Sequence, residues 1–158
     1  MFIKITIKMN RFQIAELKGR DLFEKALLGS GITNYEFTDG RYDRVDVFFT
    51  ADTLAYCGEI KYRKYPSTQS FFQTEGVVLE KNKYDDMMSL HHRSGYTPVY
   101  IHIFSDDICA LYDISNVEPR WVEEERMGKT TMGDTTKIKK IVGYLPLDAA
   151  SNVSKIPL

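Results

Sequence analysis

The sequence predicts one α/β domain, a mixed β-sheet flanked by helices with a β-rich C-terminal extension. Three observations carry this. Two long stretches, about Asn10 to Leu28 and about Thr74 to Arg93, place apolar residues at helical spacing. Shorter runs between and after them alternate apolar and polar residues, as half-buried strands do. After a first strand, the order helix, three strands, helix, two strands is that of a sheet covered by helices. A chain of 158 residues can bury a substantial core as one domain.

Phe2 to Lys8 alternates and reads as a short strand. Asn10 and Gln13 form the pattern of a helix N-cap with its capping-box partner, and Gly29 and Gly31 stop the helix. Steps of ~100° per residue give this helix an apolar arc of Ile14, Leu17, Phe23, Leu27 and Leu28. Glu24 lies within the arc and Asp21 on the same side. A carboxylate aimed at a core is costly unless it is paired or binds a cation. The alternatives are a salt bridge to Arg20, Arg44 or Lys61, or a solvated helix edge.

Thr33 to Asp39, Val45 to Thr50 and Leu54 to Tyr62 read as three strands, and Pro66 with the polar residues after it ends the third. The second helix is expected to turn Val77, Tyr84, Met87 and Met88 inward, with Lys81 between them and Glu80 and His91 at the flanks. Thr97 to Phe104 and Ile108 to Ile114 form a hairpin that turns at residues 105–107. A looser hairpin is expected around Gly133 and Asp134, then a frayed tail after Pro146.

The net charge of −1 argues against a wholly basic nucleic-acid binder and permits a local basic face. Cys57 and Cys109 each sit in an apolar run, as buried reduced thiols do, which favours a cytoplasmic protein. No apolar run approaches the ~20 residues of a membrane span, and the alternating N-terminus is unlike a signal peptide. No Walker loop, nucleophile elbow, dinucleotide fingerprint or Cys-x-x-Cys pair occurs. His91 and His92 adjoin in a helix and diverge by ~100°, so they do not chelate as an i, i+4 pair would.

The chemistry concentrates between Asp46 and Lys61. Strand side chains alternate, so Glu59 and Lys61 share a face while Ile60 and Tyr62 take the other. An acidic residue on one strand, followed after twelve residues by Glu-x-Lys on the next, resembles the PD-(D/E)XK nuclease superfamily. Here the set is Asp46, then Glu59, Ile60 and Lys61. The preceding helix with its acidic residue, Glu24 or its rival Asp21, and the element order are similar to that family's restriction-endonuclease-like core. The likeness covers about residues 10–113, leaving an extension over about 114–146 and a tail over 147–158 unassigned. Val45 stands where the family pattern has proline. Asp43 is the alternative acid, but it faces the other side of a regular strand, and Asp46 is the choice.

The resemblance implies magnesium-dependent phosphodiester hydrolysis, with manganese able to substitute. Asp46, Glu59 and the Ile60 carbonyl are the expected metal ligands, an oxygen set suited to magnesium, which usually retains several waters. Lys61 is expected to hold or activate the attacking water and to screen transition-state charge. The neighbouring carboxylates are expected to keep it protonated. Whether it acts as base or as electrostatic anchor stays open. On the second helix, Lys81 is a candidate catalytic residue near the substrate, and the bland alternative is that it snorkels past a core Tyr84.

Phosphate contacts are expected from Lys18, Arg20, Arg63, Lys64, Lys129, Lys137 and Lys139, with Arg126 and Lys140 nearby. The acidic run Glu123, Glu124, Glu125 interrupts that basic surface. The expected partner is nucleic acid, DNA before RNA, read by structure or context rather than by a long sequence. Cutting two strands or resolving a junction needs two sites, so a homodimer is expected. The rival functions are a catalytically inactive protein of the same fold that binds DNA or a protein partner, and an interaction protein with no nucleic-acid role.

Overall fold

The computed structural model describes residues 9–39, 45–64, 67–68, 76–127 and 136–158. The strand expected over Phe2 to Lys8 and the turn at Gly133 and Asp134 lie outside them. Helix α1 (Arg11–Gly29) opens on Asn10, whose side chain accepts from the Phe12 and Gln13 amides while the Gln13 side-chain Oε1 accepts from the Asn10 amide. Its inward stripe is Gly19, Leu22, Phe23, Ala26 and Leu27, spaced 0, 3, 4, 7 and 8 along the helix. The expected arc is therefore rotated: Ile14, Leu17 and Leu28 are half exposed. Gly19 explains the rotation. A Cβ there would stand 3.3 Å from both Ile60 Cγ2 and Tyr62 Cβ, so the helix approaches the sheet on its glycine.

The main sheet takes strands β1 (Tyr35–Phe37), β2 (Val47–Ala51), β3 (Leu54–Tyr62), β5 (Thr97–Ile103), β6 (Ile108–Asp113) and β9 (Asn152–Lys155), in that spatial order. The β3–β5 pair is parallel and the others are antiparallel. A parallel pair needs a crossover, here β4 (Val77–Glu80) followed by α2 (Lys81–Ser94). The helix expected from Thr74 thus begins later. Val77 to Glu80 is a strand because β8 (Lys137–Leu145) offers it an antiparallel partner, Val77 opposite Leu145 and Glu80 opposite Val142. Strand β7 (Arg120–Met127) pairs with β8 on its other side, completing a three-stranded sheet and matching the hairpin expected of the extension. Beyond Gly95, with φ +77°, the β5–β6 hairpin lies where the alternation places it.

Helix α1 covers one face of the main sheet, packing Leu22, Phe23 and Leu27 on Val47, Phe49, Ile60, Val99, Ile101 and Ile103. Helix α2 and the smaller sheet cover the other, where Val77, Leu79, Met87 and Leu145 meet Cys57, Tyr100, Phe104 and Tyr112. The cysteines are free and buried, Cys57 in one cluster and Cys109 in the other. The tail is not frayed. Residues 147–149 make a turn of 3₁₀ helix, β9 pairs with β6, and Ile156 is buried in the α1-side core. No helix among the described residues is long and apolar enough to cross a membrane.

Candidate metal and phosphodiester site

Alternation along β3 sends Ile60 into the α1-side core and Cys57 into the α2-side core, so Glu59 and Lys61 point toward α2. Asp46 stands just before β2, beside the last register pair, Val47 with Gly58. Its amide donates to the Gly58 carbonyl at 2.8 Å, and its own carbonyl accepts the Thr38 amide at 2.9 Å. The carboxylate accepts the Ile60 amide at 2.8 Å on Oδ2 and Arg20 Nη2 at 3.1 Å on Oδ1. Asp46 is thereby fixed from three elements.

Glu59 is 7% exposed and lies 3.5 Å from Lys83 Nζ. Burial raises its carboxyl well above the usual range, and the Asp46 carboxylate beside it adds to the rise, against the pull of Lys83 and Lys61. Two acidic side chains that repel each other at a partly dry sheet end are an oxygen-donor set of the kind a hard cation takes. Among the described residues no cluster of three or more His, Cys, Asp or Glu forms a larger metal cage. At Lys61, burial and then the Arg63 charge lower the pKa, while Glu59 and Glu80 pull the other way as the neighbouring carboxylates were expected to.

The two helices contribute other residues than those expected. Glu24 faces the Tyr35 hydroxyl, whose pKa its carboxylate raises, and Asp21 pairs with Lys25 at 3.3 Å on the surface. The α1 side chain that reaches Asp46 is Arg20, which also donates to the Thr38 carbonyl and lies 3.8 Å from Glu16. At 17% side-chain exposure Arg20 is turned into the site, not outward as a free phosphate contact. On α2, Lys81 pairs with Asp85 and lies over the rings of Tyr84 and Trp121, at 5.2 and 5.0 Å. The α2 lysine that reaches the site carboxylates is Lys83, beside Glu59, rather than Lys81, the one expected near the substrate. The late helix start sets this phase, and recognising Val77–Glu80 as a strand is the signal that finds it. Tyr84 is partly buried, packed against the α2-side core, and meets Trp121 edge-on at 5.0 Å.

His102 is the other residue the spacing missed. It stands opposite Lys61 in the β3–β5 register, 4% exposed, its ring against Phe104. Neither ring nitrogen has a hydrogen-bond partner among the described residues. Burial, helped by Arg63 and Lys61, pushes its pKa down to about 3, so the imidazole is neutral.

Of the expected phosphate contacts, Lys18 lies 4.9 Å over the Tyr62 ring, and Arg63 and Lys64 are exposed beyond β3. Lys137 and Lys139 are exposed on β8, Lys139 at 3.9 Å from Glu123. Arg126 is bound to Glu124, and Lys140 to Glu80 at 3.2 Å. Lys129 lies outside the described residues.

No protein-family model matches the chain, and no curated protein matches it in sequence. Among solved structures it is similar to Hjc, a Holliday junction resolvase from the archaeal hyperthermophile Archaeoglobus fulgidus. The TM-score is 0.51 at 10% identity, over 88% of this chain and 92% of that one. The chain has the restriction-endonuclease-like fold, a mixed sheet flanked by helices.

Proposed function

We propose that this chain is a divalent-metal-dependent DNA endonuclease, acting on junctions or in restriction or repair. The observation that carries the reading is the meeting of Asp46 and Glu59 beside Lys61, within a fold shared with a junction resolvase. Asp46 and Glu59 would hold the cation, with the Ile60 carbonyl as third ligand. Their oxygens suit magnesium, with manganese in its place. Bound there, the ion supplies Lewis-acid polarisation of the scissile phosphate and a more acidic water.

The chain's own residues do the rest. Arg20 and the Ile60 amide hold the Asp46 carboxylate in one orientation. Lys61 meets the phosphate or the attacking water. Its lowered pKa makes it readier to exchange a proton than an exposed lysine is. Arg63, Lys64, Lys18, Lys137 and Lys139 provide charge for flanking phosphates, and a homodimer would present the two sites that paired strands need.

The inactive, DNA-binding reading has one observation in its favour, the Arg20 guanidinium already lying against Asp46 Oδ1. A panel of linear, single-stranded, flapped and four-way-junction DNA with magnesium or manganese separates the two. Cleavage that disappears in Glu59→Ala and Lys61→Ala while binding persists is the expected result. Binding without cleavage of any substrate by the wild-type protein selects the inactive reading.

A further inference from the structure

Each of the two site carboxylates is matched by a basic side chain from a different helix, Asp46 by Arg20 of α1 and Glu59 by Lys83 of α2. The two pairs are built differently. Arg20 is 17% exposed, donates to the Thr38 carbonyl as well as to Asp46, and has little freedom to leave. Lys83 is 42% exposed, reaches Glu59 at 3.5 Å, and belongs to the first turn of α2 at the rim of the site. Its flexible stem can carry the ammonium off Glu59 without disturbing the helix.

A buried carboxylate without a partner is unfavourable, so Lys83 stabilises Glu59 when nothing else is bound. A divalent cation on Glu59 would meet the same ammonium as a like charge at close range. A phosphate entering the site reverses that balance, because the ammonium is a good phosphate donor.

Resting on the nuclease reading, we propose that Lys83 couples cation binding to substrate binding. It neutralises Glu59 in the free protein and transfers to a substrate phosphate when a divalent cation takes Glu59. The free protein then binds cations weakly, and DNA and cation each strengthen the other's binding, as linkage requires.

The test compares wild type, Lys83→Gln and Lys83→Arg. Manganese binding without DNA is measured by calorimetry and by the spin-resonance signal of the free ion. Binding of a four-way junction is measured in calcium across a salt series. Lys83→Gln is expected to bind manganese roughly tenfold more tightly, to bind DNA several-fold more weakly, and to lose about one unit of salt slope. Lys83→Arg is expected to restore both, which a merely structural role would not produce. Manganese binding by wild type that is unchanged or weaker in Lys83→Gln overturns the coupling and leaves the metal site standing. Manganese binding by neither wild type nor Lys83→Gln overturns the metal site and the coupling together.

Discussion

The Asp46 carboxylate accepts the backbone amide of Ile60 at 2.8 Å, so the first acidic residue of the site also ties the chain before β2 to β3. Asp46→Ala removes this bond and the Arg20 ion pair, leaving a half-buried guanidinium without its carboxylate. The expected cost is about 2–4 kcal/mol in urea unfolding, together with loss of cleavage. Asp46→Asn keeps an acceptor for Ile60 and is expected to recover roughly half of that stability without recovering activity. Equal stability of Asp46→Ala and wild type would remove the structural role.

Glu59 has its native pKa raised by burial and by Asp46. A group raised in this way contributes stability that is fully present below its unfolded value and is lost as pH rises through its native value. Without divalent cations, Glu59→Gln is therefore expected to melt higher than wild type at pH 8. The difference should shrink toward pH 5, and with magnesium restored the variant is expected not to cleave. Calorimetric melting in a chelator across that range is the check, and a difference that grows on acidification contradicts the assignment.

His102 works in the opposite sense. Its pKa is pushed down to about 3, so its contribution is present above the ordinary histidine value and is lost as pH falls toward the native one. The slope approaches about 1.4 kcal/mol per pH unit where only the unfolded chain is protonated. His102→Phe, which also removes two ring nitrogens without a partner among the described residues, is expected to flatten the acid limb of stability between about pH 6 and 4. An unaltered limb assigns the acid sensitivity to other groups.

Ile156 is 1% exposed in the α1-side core, held there by β9. Ile156→Ala should cost about 2–4 kcal/mol, as truncation of a buried aliphatic side chain does. Removal of residues 151–158 should lower the melting temperature further. A melt unchanged by that deletion would return the segment to the frayed state expected of its sequence.

The legible parts of the fold share one property, locality. The α1 capping box, the β2–β3 and β5–β6 hairpins and the facing of Glu59 and Lys61 depend on residues close along the chain. What escaped depends on distant partners. Val77, Val78 and Leu79 form an apolar run short enough to suit helix or strand, and only the pairing with β8 decides it. The β9 segment has four exposed residues and no apolar alternation, yet β6 and the burial of Ile156 hold it. In the candidate site, Asp46, Glu59 and Lys61 follow from strand alternation together with the resemblance to the nuclease pattern. Arg20 in place of Glu24, and Lys83 in place of Lys81, follow from helix phase, which Gly19 sets for α1 and the late start sets for α2.

The interleaving of Glu59 and Lys61 with Gly58, Ile60 and Tyr62 makes folding a proofreading step for the site. A one-residue slip of β3 against β5 would drive both charges beneath α1, onto Leu22 and Phe23, and turn Ile60 out of the core. The misregistered chain would fail as a folded protein before it could persist with its charges misplaced. A molecule that melts cooperatively has, by the same register, already placed Glu59 across from Tyr100 and Lys61 across from His102.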